Sequence, residues 1–218
     1  MGVKGFGAGA LCAAFLVAGC AGRGAAPPGG PSAPALPSIA EADWRAHVTT
    51  ADRIRLRGWR SAWMTALDQA RTAGHGGDLA ADAALFDPDR MLADPLPPAG
   101  DYRCRVVKLG SRAGVGLGYV AYPAFRCRID SEDGALHFAK LTGSQRPVGT
   151  IYTSEPTRGV FLGTVVLGDE SRTIDYGRDT TRDMAGFVER IGTRRWRMVL
   201  PYPAFESTLD VIELVPAG

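Results

Sequence analysis

The sequence has little of what usually signals chemistry. It holds three histidines, His47, His75 and His137, and none lies in a metal or nucleophile motif. The patterns HExxH, CxxC, GxSxG and the P-loop are all absent. No cofactor and no metal is therefore expected, and catalysis is not the leading expectation. Ser144 and Ser207 lack the spacing of a nucleophile elbow. Cysteine is scarce too: there are four, and two of them, Cys12 and Cys20, fall in the first twenty residues. Charge of one sign is also missing. Lys4 and Arg23 are the only charged residues before Glu41, so the rest of the chain carries 23 basic and 23 acidic residues. A nucleic-acid-binding domain would show a large positive excess, so no nucleic acid partner is expected. Lysine is nearly absent, at three against 22 arginines. Codon usage in a GC-rich genome accounts for that ratio; the alternative is that some arginines pair bidentately with carboxylates or an anionic ligand.

No apolar run reaches the roughly 20 residues that a membrane-spanning helix needs. The one substantial run, Ala8 to Ala18, is shorter and follows Lys4, as in the core of an export signal. Val17-Ala18-Gly19-Cys20 fits a bacterial lipobox, with a branched residue and two small ones before the cysteine. Residues 1–19 are thus expected to be a lipoprotein signal peptide, with Cys20 lipidated and anchored to a membrane. Two or more acyl chains give stable anchoring, where one gives only marginal binding. Cys20 is followed by Ala21 and Gly22, not by an inner-membrane retention aspartate, which favours the outer membrane and a periplasmic location. Residues 21–40 are almost all Ala, Gly, Pro and Ser, the composition of a tether. Residues 41–218 then have the length of a single globular domain.

Within that domain, residues 41–93 read as helical. Thr49 or Thr50 can cap a helix with Asp52 in its first turn. Leu56, Trp59, Trp63, Ala66, Leu67 and Ala70 form one apolar face, with Arg53, Arg57, Arg60 and Arg71 mostly off it. The glycines at 74, 76 and 77 stop it. Packing onto the main domain is the expected role of the two tryptophans, ahead of an aromatic binding platform. A short helix could follow within 78–93, before Pro95, Pro97 and Pro98.

Residues 101–216 read as strands: 101–109, 117–129 with a break at Pro123, 135–142, 147–153, 159–167, 184–192, 195–201 and 209–215. They are rich in Val, Ile, Phe, Tyr and Thr, and no helix-length segment separates them. The expected fold is mainly β, an antiparallel β-barrel or barrel-like sheet with an N-terminal α-helix packed against it. Gly192-Thr193-Arg194 reads as a tight hairpin connection, with Phe187 and Ile191 inward on one arm and Trp196, Met198 and Leu200 on the other. Cys104 and Cys127 remain for an oxidising compartment, where a disulfide is expected. The two are symmetric about a glycine-rich turn at Gly114–Gly118, which places Tyr102 opposite Ile129, Cys104 opposite Cys127 and Val106 opposite Phe125. Pro123 is the point at which that register could shift.

Six segments together resemble a bacterial family known as domain of unknown function 4893. They begin with Asp52-Arg53-Ile54-Arg55-Leu56 and Tyr102-Arg103-Cys104-Arg105, and continue with Lys140-Leu141-Thr142-Gly143-Ser144-Gln145-Arg146-Pro147. The others are Tyr176-Gly177-Arg178-Asp179, Arg182-Asp183-Met184-Ala185-Gly186 and Leu200-Pro201-Tyr202-Pro203 with Phe205-Glu206-Ser207. The resemblance covers nearly all of residues 44–216. It implies a grouping and no activity, ligand or catalytic residue.

Two polar connections are candidates for binding. Arg178, Asp179, Arg182 and Asp183 form the densest charged cluster; it could be local ion pairing, an anion- or partner-binding edge, or a carboxylate pair for acid/base work. Gln145 and Arg146 sit in a strand connection where turn formation explains Gly143, Ser144 and Pro147 but not them. The leading expectation is a lipid-anchored periplasmic protein that binds a small ligand or an envelope protein without catalysis, an inhibitor being one form of this. The alternatives are an envelope hydrolase built on the 178–183 cluster, and a passive structural lipoprotein.

Overall fold

Alternating apolar residues, punctuated by glycine and proline, lay down nine strands in the computed structural model, which describes residue 2, residues 43–112 and residues 118–218. The candidate signal peptide, Cys20, the tether 21–40 and residues 113–117 of the glycine-rich turn lie outside the described residues. The strands are β1 (Gly100–Leu109), β2 (Tyr119–Ala121), β3 (Phe125–Glu132), β4 (Ala135–Lys140), β5 (Gln145–Glu155), β6 (Arg158–Leu167), β7 (Asp183–Gly192), β8 (Arg195–Pro201) and β9 (Leu209–Pro216). From β3 to β9 each strand pairs antiparallel with the next, β1 pairs with β3, and β9 returns to β1. The result is a closed eight-stranded antiparallel barrel, as expected. The short β2 extends the β3 side of β1 beyond the break at Pro123.

The barrel interior is lined by Tyr102, Val106, Ile129, Phe138, Ile151, Phe161, Val188, Trp196, Met198 and Ile212, among others. β5 and β6 approach closely at one pair of glycines. Gly149 and Gly163 face each other there, and a Cβ on either would meet backbone at 2.3 and 2.2 Å. Any side chain at these two positions would push the strands apart.

Outside the barrel lie α1 (Trp44–His47), α2 (Thr50–Arg57), α3 (Trp59–Thr72), α4 (Gly76–Ala81) and α5 (Ala83–Phe86). Asp43 caps α1, and the Thr49 hydroxyl accepts from the Asp52 amide to cap α2. The single helix expected after Thr49 is two, because the chain breaks at Gly58, against which Tyr202 packs. Ala62, Trp63, Ala66, Leu67 and Ala70 cover Val107, Leu109, Val199, Leu209 and Val211 on the barrel's outer face. Trp63 is fully buried, so packing is its role.

That outer helical layer corrects one expectation. Phe187 and Ile191 point outward, while Met184 and Val188 fill the lumen. Both faces of β7 are apolar because one meets the lumen and the other the helices, so alternation alone could not say which was inside.

A second correction concerns the disulfide, which is present with a Cα separation of 5.9 Å. The register is displaced by two residues: Tyr102 pairs with Cys127 and Cys104 with Phe125. The cysteines are therefore diagonal neighbours. Pro123 is responsible, since it offers no ladder donor and the chain leaves the β1 ladder between β2 and β3. A shift of two preserves the face of every side chain, so both cysteines still enter the lumen and can bond.

Candidate functional site

The two sequence candidates at the strand connections converge on the 168–182 connection. Arg146 donates to the carbonyls of Gly143, Gly168 and Glu170. Arg182 pairs with Glu170 at 2.6 Å and approaches Asp179 at 3.7 Å. Asp179 in turn accepts from the Thr181 amide and hydroxyl. Arg182 and these hydrogen bonds hold Asp179 and Glu170 below the usual carboxylate range. Arg146 thus fastens the 168–182 connection to β5, and Arg182 braces the connection from within. Arg178 is exposed at its edge, and Gln145 turns toward the barrel end, away from this cluster.

Asp183 lies apart from its sequence neighbours. It is buried and accepts from the Gly177 amide at 2.9 Å. Beside it is a second buried carboxylate, Asp52, which pairs with Arg55 at 2.6 Å and accepts from the Tyr176 hydroxyl at 2.7 Å. Arg55 also donates to the Asp183 carbonyl, joining α2 to β7. The second Asp183 oxygen and the hydroxyl of Thr164, its cross-strand partner, find no hydrogen bond among the described residues. Burial, aided by the Asp52 charge, raises the Asp183 pKa against the pull of the Gly177 amide and Arg55. A carboxyl raised in the folded state contributes its full stability below its unfolded value of roughly 4 and loses it as pH rises through the folded value. Asp183→Asn keeps the acceptor for Gly177 and cannot ionise. Its melting temperature, relative to wild type, is therefore expected to rise between pH 4 and pH 8; a relative fall over that interval would contradict the assignment. Asp183→Ala leaves the Gly177 amide unpaired and is expected to cost about 1–3 kcal/mol at either pH.

One end of the barrel is closed by the chain after β8. Pro203, Ala204 and Phe205 fold over Val106, Gln145, Pro147 and Ile212, leaving a cavity of about 30 Å³. Tyr202 and Glu206 flank this plug with φ of 48° and 64°. Arg112 ties it down through the Pro203 carbonyl at 2.8 Å. Beneath it the buried Ser207 hydroxyl donates to Asp210, and Lys108 lies 3.4 Å from both Asp210 and Glu206. Lys140 sits 3.6 Å from the Phe125 ring centroid and donates to the carbonyls of Thr142 and Gln145. Burial, with Arg146 and Lys108 nearby, pulls its pKa down to about 8. These groups satisfy one another, and no histidine joins them. Among the described residues no group of three metal-ligating side chains is found.

The most chemically distinctive concavity is on the outside, between α1–α3 and the β5–β6 hairpin. It measures about 410 Å³ and is lined by Trp44, Arg45, Arg53, Arg57, Trp59 and Arg158, with Phe187 at its base and Glu155 as its one carboxylate. The Trp44 indole is fixed by donation to Ser154 at 3.1 Å. Arg158 stacks 4.2 Å from Trp59 and 4.6 Å from Phe187, and is held by Glu189 at 2.6 Å. Arg53 donates only to the Arg45 carbonyl, and Arg57 has no ion-pair partner among the described residues. The groove is thus an aromatic-walled, positively charged cleft with two uncompensated guanidiniums at its mouth.

The sequence did not point to this groove. The spacing of Arg53 and Arg57 put them on one polar helix face, but Arg158 comes from a hairpin a hundred residues away. The signal present was Trp44 just ahead of two arginines one turn apart.

No curated protein and no solved structure gives a significant match to the chain. One family does match, over residues 44–214, from the first helix into the last barrel strand. It spans the helical layer, the plugged barrel and the groove together, and the chain belongs to the family Domain of unknown function (DUF4893).

Proposed function

We propose that this is an exported, lipid-anchored protein of the bacterial periplasm that works by binding at its outer surface rather than by catalysis. The observation that carries the reading is the filled barrel. Side chains such as Phe138, Phe161, Trp196 and Met198 pack the interior, and the cavity of about 30 Å³ beneath the plug holds roughly one water molecule, not a ligand of the lipocalin kind. Binding is left to the exterior, where the Trp44–Arg158 groove offers charge and aromatic surface together. The hydrolase alternative loses support from geometry, because Arg182 and Asp179 are spent on the 168–182 connection and Asp183 is buried away from them.

The anchor is tested by labelling cells with a fatty acid. The wild-type precursor is expected to incorporate label, and Cys20→Ala to incorporate none. Unlabelled, freely soluble mature wild-type protein would refute anchoring. The binding surface is tested by placing a photo-crosslinking residue at position 57 in the envelope. A defined adduct is expected from there and not from a matched residue on the plug; the reverse pattern would move function to the barrel end.

A further inference from the structure

We propose that the groove and its rim dock on the phosphate headgroups of an anionic phospholipid surface, so that the α1–α2 face of the domain rests on the membrane. The proposal deepens the surface-binding reading above and takes its setting from the lipid anchor.

Three observations converge. The first is charge: four arginines line the groove, and although Arg45 lies 3.6 Å from Asp43 and Arg158 pairs with Glu189, Arg53 and Arg57 at its mouth have no ion-pair partner among the described residues. Guanidinium is weakly hydrated and grips phosphate oxygens two at a time. The second is an exposed apolar side chain on the same helix, beside the groove and outside its lining. Ile54 is 63% exposed, well beyond Met64 at 47% and Leu141 at 44%. It follows Arg53 directly and lies three positions before Arg57, so it shares their side of α2. Water penalises that placement. A bilayer interface rewards it, because the aliphatic chain enters the acyl boundary while flanking arginines meet phosphates. A soluble anion would account for the arginines and leave Ile54 without a role. The third is Trp44, half-buried at the groove wall with its indole N–H held by Ser154. A tryptophan with a dry face and a wet edge is the side chain most suited to headgroup depth.

Chain order agrees. α1 is the first described helix after Cys20, and fewer than 25 residues separate Cys20 from Trp44. Acyl chains on Cys20 already supply stable attachment. The contribution of the groove is therefore orientation: it fixes which face of the barrel is turned to the lipid and which to the aqueous space.

The test uses the full chain carrying Cys20→Ser, purified without acyl groups, in sedimentation with vesicles. Binding to phosphatidylcholine vesicles containing phosphatidylglycerol is expected, with little to phosphatidylcholine alone. Each basic residue near an anionic surface is worth a factor of about five, so Arg53→Ala/Arg57→Ala should bind about twenty-five-fold more weakly and with a shallower salt dependence. Ile54→Ser should also weaken binding but leave the salt dependence unchanged. All three positions are exposed, and melting curves of the variants should overlay wild type. Equal binding by wild type and the double arginine variant would overturn the proposal, and would be the result if residues 1–19 alone drove sedimentation. Displacement of the protein by millimolar glycerol phosphate would overturn it in favour of a soluble anion. Vesicle binding indifferent to the groove, with a position-57 crosslink to an acidic protein, would overturn it in favour of a protein partner. Because no acyl chain is involved, failure here leaves the fatty-acid result standing, and failure of that labelling leaves this result standing.

Discussion

Arg197→Ala is expected to destabilise the domain by about 3–5 kcal/mol, a large share of the stability of a typical domain. Arg197 and Glu189 are both fully buried on the outer face of β7 and β8, beneath the helical layer. Arg197 donates to Glu189 at 2.8 and 2.7 Å, and Arg158 engages the other Glu189 oxygen. The remaining Arg197 donors reach the carbonyls of Leu85, Asp87 and Arg90 at 2.8–3.0 Å, at the open end of α5. Its guanidinium also lies 4.5 Å from the Trp63 ring centroid. Alanine would remove a partner from a buried carboxylate and three acceptors' donor at once, and leave a void against Trp63. Urea denaturation is the measurement. A loss under 1 kcal/mol would mean that the network closes on water. Arg197→Met with Glu189→Leu and Arg158→Met should recover part of the loss, since the penalty lies largely in the unpaired charge and Arg158 would otherwise lose its carboxylate partner.

Removing the Cys104–Cys127 bridge is expected to cost roughly 3 kcal/mol, from the chain entropy regained by a 23-residue separation. Both sulfurs sit in the barrel lumen, so serine at either position adds a buried hydroxyl to that cost; Cys104→Ala/Cys127→Ala is the cleaner comparison. All the barrel's ladders remain, so the variant should still fold, with a lower urea midpoint and a steeper slope, because the denatured chain is no longer cross-linked. Wild-type protein purified and denatured without reductant should expose no alkylatable thiol at these two positions. Two labelled thiols would refute the bridge.

Much of this architecture was legible in the residues. Eight apolar segments with no intervening helices specify an antiparallel meander, and all eight became barrel strands. What failed was parity and register. Phe187 and Ile191 could not be assigned a side, because a strand covered on both faces carries no alternation to read. The pairing of Cys104 opposite Cys127 assumed that the two arms were continuous, and Pro123 made one of them discontinuous. The candidate site was less legible still. Arg146 stood out because turn formation did not explain it, and Arg182 as part of the densest charged cluster, where ion pairing and turn formation were the leading reading; both hold the 168–182 connection. Asp183 was singled out with its neighbours by sequence adjacency, but strand alternation sends it to a buried cluster with Asp52 from α2. The groove needs α1, α2 and the β5–β6 hairpin in one place, and no local pattern encodes that meeting.

The seam between β1 and β9 has a temporal meaning. Every other ladder of the barrel joins segments that are neighbours or near-neighbours along the chain, whereas this one joins Tyr102 to Pro216. Contacts so distant in sequence form late, after the loop between them has been paid out and ordered. A chain threaded amino end first through a narrow pore presents β1 to the far side first and β9 last. Until β9 arrives, β1 keeps one long edge of unpaired amides and carbonyls, the kind of edge that recruits foreign strands. The lumen stays open over the same interval, with its plug still behind it, because residues 202–208 also come after β8. The last fifteen or so residues to emerge therefore decide whether the barrel is sealed or sticky, and a truncation there would be felt along the whole length of β1.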